Sequence, residues 1–487
     1  MSTVQRIARN TTVLLVAQVV SYLLAFFYMM YTARYLGAAG FGILSLALAF
    51  TAIFGVLADL GLSTLTTREV ARDRSQALKY LANVSAMKVI LVAVAFGLIA
   101  LTINLMGYPA ETIRVVYILA LSLVFGTFGQ MFYSIFQAFE RMEFQAIGQM
   151  LNAALILAGV MFAIKHSFGV VGFASIYVIA GAVAFAYSLA VMKLRFPNPA
   201  RASTAKVMEF DWNFWKPTTR EALPFGLTGI FGMIYTYIDS VMLSVMQGSE
   251  VVGWYNAAYR LILVLLFIPT ALGSAIFPVM SRFYTTSPDS LRRGIEKLFK
   301  YMIMLGIPLG VGTTLLADRI ILAVFGPGYM QSIIALQILV WTIVLTFVGA
   351  AFVKLFESTN RQVVVTRVSG ICMVANIILN LLLIPRFSYV GASVVTVATE
   401  LILVGAVFVL AYRTGFSISR NRLIKDVSKV TISSLVMGAF IWYSSDLNLL
   451  VLVVLATLLY FGLLYLIKGI DREDLSLLRQ ATKSGKS

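Results

Sequence analysis

TVLLVAQVVSYLLAFFYMMYTAR, residues 12–34, carries a single charge, Arg34, at its last position. Roughly 20 consecutive apolar residues are enough for a helix to cross the ~30 Å hydrocarbon layer of a bilayer. Runs of this kind recur along the chain, at 12–34, 42–61, 81–104, 113–137, 145–164, 170–192, 223–246, 254–278, 299–317, 330–352, 363–384, 390–412, 428–444 and 448–467. Of the 487 residues 60% are apolar and only 12% charged, about half the charged fraction of a soluble domain, so lipid is the solvent for most of the chain. The fold class read from these runs is all-α, a polytopic membrane protein of about 14 transmembrane helices. The first run is too long for the apolar core of a secretory signal and is expected to remain as helix one.

The net charge of +17 would suggest nucleic acid as the partner of a soluble protein. Its distribution says otherwise. Of 38 Lys and Arg, 31 fall on the termini and alternate loops, five on the intervening loops (Arg34, Arg114, Lys165, Arg319, Arg386), and Lys88 and Arg260 inside predicted helices. Basic residues are retained on the cytoplasmic side. The expected location is therefore the cell membrane, crossed many times, with both termini cytoplasmic and no nucleic-acid partner.

The longest polar interval, from Lys193 to Glu221, holds Pro197, Pro199 and Pro217 and separates six spans from eight. Its FDWNFW run (210–215) sets aromatic rings beside charges, the composition of a segment lying in the membrane interface. GAAGFGILSLA (37–47) aligns without gaps on GSEVVGWYNAA (248–258), pairing Gly37 with Gly248 and Gly42 with Gly253; VGFAS (171–175) and VGASV (390–394) both open a sixth helix. Such internal similarity marks a protein built from repeats, parallel here because an even number of spans separates them. The expected organisation is a six-helix bundle (1–192), a cytoplasmic linker (193–222), a second six-helix bundle (223–412), and helices 13 and 14 with a cytoplasmic tail (413–487).

His166 is the one histidine and Cys372 the one cysteine, so neither a zinc cluster nor a histidine-based triad can be assembled. No metal site and no cofactor is expected, and whether H+ or Na+ couples to any transport stays open. His166 is expected solvated in a short loop, Cys372 packed and inert. The KSGKS tail (483–487) lacks the first glycine of a phosphate-binding loop.

Ionisable groups at membrane depth are costly and mark candidate sites. Asp239 and Arg260 lie at equal depth, ~10 to 12 Å from the outer ends of consecutive helices, which suggests an ion pair. Arg260 could grip a phosphate bidentately, with Asp239 holding it or taking a coupling cation; a helix–helix pair or a snorkelling arginine is the structural alternative. Glu400 sits near the midplane, positioned either to carry a proton or to bond a neighbouring helix. Lys88 is within snorkelling reach of the cytoplasmic face, and Asp59 reads as the cap of a loop. Asn152, Asn256, Asn376 and Asn380 place amides at helical depth, the last two on one face. Tyr235, Tyr237, Tyr255 and Tyr259 read mainly as lipid or core packing, with stacking on sugar rings open.

Several stretches together resemble the polysaccharide transporter family, the O-antigen-type (Wzx-like) flippases of the multidrug/oligosaccharidyl-lipid/polysaccharide exporter superfamily. They are VAQVVSYLLAFFYMMYTARYLGAAGFG (16–42), LADLGLSTLTTREVAR (57–72), PFGLTGIFGMIYTYIDSVMLSVMQGSEVVGWYNAAYRL (224–261), IPTALGSAIFPVMSR (268–282) and NIILNLLLIPRFSYVGASVVTVATE (376–400). The resemblance implies two six-helix bundles around a central cavity opening alternately to each side, and a polyprenyl-(pyro)phosphate-linked oligosaccharide as substrate. It nominates Arg34, Lys88 and Arg260 by position as phosphate contacts, and glycan-assembly proteins and membrane lipid as partners. A cation-coupled multidrug or small-solute exporter of the same superfamily is the alternative, though such proteins usually have twelve helices. A membrane-embedded sugar polymerase or ligase would need a large outer loop, and none is present.

Overall fold

The computed structural model describes residues 3–196, 211–359, 361–415 and 420–470. The described residues form helices α1 (Thr3–Asp59), α2 (Leu62–Arg72), α3 (Ala77–Leu105), α4 (Ala110–Ala138), α5 (Met142–Lys165), α6 (Val170–Arg195), α7 (Trp212–Gln247), α8 (Ser249–Leu265), α9 (Phe267–Thr286), α10 (Pro288–Val324), α11 (Ser332–Ser358), α12 (Gln362–Arg413), α13 (Arg420–Tyr443) and α14 (Leu449–Leu466). They carry the fourteen predicted spans, and the class is all-α.

Three elements differ from one helix per span. Helix α1 holds the first two spans, doubled back at Gly37, whose φ of 67° and ψ of 178° is open to glycine alone. Helix α12 holds the eleventh and twelfth, broken at Ser388 (φ 51°, ψ −137°) three residues after Pro385. The eighth span, expected to be continuous over 254–278, is divided between α8 and α9 at Leu266. Pro269 supplies the reason: it has no N–H for the carbonyl of Leu265, so the helix ends and restarts with the proline in its first turn.

In α3 the residues Val84, Met87, Lys88, Val92, Ala95, Ile99 and Ile103 are buried, whereas Ile90, Val94, Leu98, Leu101 and Leu105 form an exposed stripe at helical spacing. Helix α14 buries only Leu452, Ala456, Tyr460 and Leu464 and exposes leucines and valines elsewhere. Helices apolar on every face suit lipid on the outside and helix contacts on the inside.

The chain forms two compact units, one of residues 1–257 and 376–392, the other of residues 258–375 and 393–487. In the first, Leu44, Phe50, Ile99, Leu119, Val160 and Phe173 build a continuous core across α1 and α3 to α6. In this unit the aligned segments meet each other. A Cβ on Gly42 would collide with the backbone carbonyl of Ser249, and one on Gly253 with that of Ala38. Ala38 and Ser249 are themselves an aligned pair, so the contact is reciprocal, as across a two-fold axis. Gly248 repeats the conformation of Gly37 (φ 88°, ψ 173°). A second close approach lies just past the end of the second span, where Leu60 and Gly61 press on Ala222 and Gly226 of α7.

In the second unit α10 packs along α11, with Leu298, Met302, Leu336, Leu339, Ile343 and Phe347 buried. Helices α13 and α14 attach to α10 through polar links: the Tyr460 hydroxyl donates to the Met304 carbonyl (2.8 Å), and Arg319 donates to the carbonyls of Ser445 and Leu447 (3.1 and 2.6 Å).

Part of the aromatic run before α7 lies outside the described residues. Within the rest, Asp211 caps α7 by accepting from Phe214 N–H (3.2 Å) and pairs with Lys79 (3.2 Å), while the Trp215 indole donates to Asn83 (3.0 Å). Trp212 is exposed, as a headgroup-level aromatic should be. His166 is exposed beside the Phe162 ring, and Cys372 is buried.

Candidate functional site

Two polar clusters are built into the first unit, each where a break in a helix sets the depth of the side chains around it. The first joins α7, α8 and α12. Asp239 lies eight residues before the end of α7, Tyr255 seven after Gly248 and Asn380 eight before Ser388, so at 1.5 Å per residue all three stand ~10 to 12 Å from their turns. Asp239 is 2% exposed. One of its carboxylate oxygens accepts the Tyr255 hydroxyl and the other the Asn380 amide, both at 2.7 Å. The same Asn380 Nδ2 donates to Asn376 Oδ1 at 3.0 Å. One residue along, Asn256 Nδ2 donates to the Ser240 hydroxyl (3.0 Å) and to the Val252 carbonyl (3.0 Å), a second rung parallel to the first. Four of the residues singled out in the sequence, Asp239, Asn256, Asn376 and Asn380, thus share one buried patch. Two of its polar atoms, Asn376 Nδ2 and Asn380 Oδ1, are buried without a hydrogen-bond partner. One is a donor and the other an acceptor, so the patch retains capacity for one further hydrogen bond of each kind.

The second cluster ties α1, α2, α3 and α4. The Lys88 side chain is fully buried, and its ammonium meets the Asp59 carboxylate at 2.6 Å, the Ser63 hydroxyl at 2.8 Å and the Thr127 carbonyl at 3.2 Å. The Ser63 hydroxyl also donates to Asp59. All three ammonium protons are committed, so Lys88 stays at depth and does not extend to the surface. Asp59, read as a loop cap, does accept the Ser63 N–H at 3.4 Å, and is also the counter-ion of Lys88.

The remaining candidates lie elsewhere. Arg34 is exposed three residues before the Gly37 break. In the second unit, Glu400 is 8% exposed and accepts the Thr346 hydroxyl (2.8 Å), and Arg260 is half-buried on α8. Sequence reasoning missed Ser63, Thr127 and Thr346, and gave Tyr255 no polar role. It missed as well the neutral amides Gln130 and Gln149, which with Asn152, Tyr133 and Tyr177 line a cavity of about 310 Å³ between α4, α5 and α6. A polar side chain facing an apolar helix at the depth of Asp239 or Lys88 was the signal that could have found the tyrosine and the serine.

A helical chain that crosses a bilayer about fourteen times and ties buried ionisable groups together on its spanning helices is, as a class, a multi-pass membrane protein of transporter fold. It belongs to the polysaccharide biosynthesis protein family, whose model matches residues 7–284; a second model, MatE, matches residues 224–382. The chain is 24% identical over 466 residues to the "Probable low-salt glycan biosynthesis flippase Agl15" of Haloferax volcanii, covering 94% of each protein. It is 28% identical over 218 residues to the "Uncharacterized membrane protein MJ1068" of Methanocaldococcus jannaschii, an alignment covering 43% of this chain and 41% of that one. Its fold is similar to that of the lipid II flippase MurJ in an inward closed conformation, with a TM-score of 0.75 at 16% identity over 92% of this chain and 97% of that one.

Proposed function

We propose that the protein is a flippase that moves polyprenyl-(pyro)phosphate-linked oligosaccharide from the cytoplasmic to the outer leaflet by alternating access, for the assembly of a cell-surface glycan. The observation that carries the transport reading is the buried Asp239 cluster, an ionisable group held at depth by three helices, where such a group is costly and marks a functional site. The family, and the flippase named in the Haloferax relative, supply the substrate class.

In this reading both termini are cytoplasmic and the chain divides as six, six and two spans. Arg260 and Arg34 receive the substrate phosphates; Lys88, already committed to three acceptors, would first have to exchange one. Asp239, with the amide oxygen of Asn380, holds a coupling cation, and Glu400 and Asp59 are the other candidates for coupling. The amide-lined cavity of α4 to α6 offers neutral donors and acceptors suited to sugar hydroxyls. Alternating access corresponds to releasing the reciprocal glycine contact of α1 with α8 at one end, or the Gly61–Gly226 approach at the other. Glycan-assembly proteins would be the partners that deliver and receive the substrate.

The test is a strain lacking the protein. It should accumulate lipid-linked oligosaccharide on the cytoplasmic leaflet, and Asp239→Asn should fail to restore export while reaching the membrane in normal amount. Undisturbed outward passage in the deletion strain would overturn the reading. The MatE match favours one second reading, a cation-coupled exporter of small solutes; that reading requires solute sensitivity with normal glycan export in the same strain.

A further inference from the structure

Within the second unit, a cavity of about 550 Å³ opens at the basic-rich end of α10 and α13. Helix α10 lends it Arg293, Lys297 and Lys300, at spacings of four and three that place them on one face. Helix α13 answers with Arg422, Lys425 and Lys429 at spacings of three and four, and Lys468 follows α14. The acidic residues lining it are Glu296 and Asp426, leaving five positive charges in excess. Arg422 spends one arm on Glu296 (2.7 Å), which Arg292 also approaches (3.7 Å), and the Lys429 ammonium donates to the Lys468 carbonyl (2.5 Å). Lys300 is 7% exposed. With seven basic groups against two acidic ones, the lining carries a net positive charge that attracts an anion.

The surface beyond the charges is apolar. One turn along α10 from Lys300, Met304 begins a cavity of about 340 Å³ lined by Leu305, Leu309, Met437, Val453 and Phe461, among others, of α10, α13 and α14. Basic groups at the membrane edge with an apolar slot running inward from them match the two ends of a lipid.

We propose that this is a binding site for an anionic diacyl phospholipid, its phosphate held by α10 and α13 and an acyl chain lying in the α10–α13–α14 slot. A soluble phosphate would use the charges and leave the slot idle; a polyprenyl phosphate shares the chemistry and is separated by the experiment. The proposal does not rest on which substrate the protein transports.

The experiment is native mass spectrometry of the detergent-purified full chain, titrated separately with phosphatidylglycerol, phosphatidylcholine, polyprenyl phosphate and inorganic phosphate. Wild type should retain phosphatidylglycerol well above phosphatidylcholine. A charge near an anionic headgroup is worth ~1 kcal/mol, about a fivefold change in affinity, so R293Q/R422Q/K425Q should weaken phosphatidylglycerol retention roughly a hundredfold. All three side chains are exposed, so the fold should survive; the single variant K425Q, expected to lose about fivefold, replaces the triple if it does not. The control R114Q/K165Q/R386Q removes the same charge from exposed positions elsewhere and should retain wild-type binding. Equal loss in both triples, or none in the first, overturns the proposal. Displacement of phosphatidylglycerol by inorganic phosphate, or preference for polyprenyl phosphate over it, overturns the phospholipid as occupant.

Discussion

Replacing Asp59 by Asn should destabilise the protein more than replacing Lys88 by Met, although the two residues form one ion pair. The asymmetry follows from their surroundings. The Lys88 side chain is 0% exposed and that of Asp59 29%. Asp59→Asn strands an ammonium beyond the reach of water, and breaking a buried pair in this way costs about 3–5 kcal/mol. Lys88→Met gives up the ammonium's hydrogen bonds to Asp59, Ser63 and Thr127, but it leaves a carboxylate that is partly exposed and keeps the Ser63 hydroxyl and N–H, so no buried charge is stranded and the penalty should be the smaller of the two. The double variant should fall short of the sum by about 2 kcal/mol, since neither charge remains. Unfolding of the detergent-purified protein by SDS, followed through tryptophan fluorescence, measures all three. A Lys88→Met penalty as large as that of Asp59→Asn, or strict additivity in the double, would refute the burial argument.

Gly42→Ala and Gly253→Ala should each lower stability by about 1–3 kcal/mol, because the added carbon meets backbone on both sides of a reciprocal contact; Gly97→Ala, with open space around it, should be neutral or stabilising, and similar values for all three would remove the contact from consideration. Tyr255→Phe should cost about 1.5–3 kcal/mol in the same unfolding assay by depriving the buried Asp239 carboxylate of a donor, and no change would mean the hydroxyl is not engaged. The Asp211 carboxyl is held below the usual carboxylate range by the Lys79 ammonium and by Phe214 N–H. Its contribution is therefore complete above pH ~4, the unfolded value, and fades as the pH falls below it. Wild type and Asp211→Ala should differ in unfolding midpoint at pH 7 and converge on strong acidification; a constant difference would assign the effect to something other than the charge.

Much of this architecture was legible in the sequence. Burying a residue in hydrocarbon is favourable or unfavourable largely by its own identity, and the bilayer thickness fixes how many such residues must follow one another, so hydropathy alone located fourteen spans. Depth was legible only in part. Counting along the sequence sets Asp239 level with Arg260 because Gly253 marks the start of the eighth span there; in the structure α8 starts at Ser249, so Tyr255 and Asn256 stand level with Asp239, and the expected Asp239–Arg260 ion pair is not formed among the described residues. The alignment of Gly37 with Gly248 and Gly42 with Gly253 marked equivalent turns, while their shared conformation and the reciprocal contact came from the structure. The break at Leu266 was written in Pro269 but hidden by a run apolar on both sides of it.

What a sequence leaves undetermined is rotation. A helix apolar on all faces has no phase, so nothing along α3 said that Lys88 turns inward while Val89 beside it is 57% exposed. Only the packed structure chose Tyr255 and, 141 residues away along the chain, Asn380 as the donors to Asp239, and Asp59, Ser63 and Thr127 as the acceptors of Lys88. The sequence alone determined which segments enter the membrane, because that follows from local transfer free energies. Which buried groups face each other depends on helices meeting at particular angles, and tertiary packing decided it.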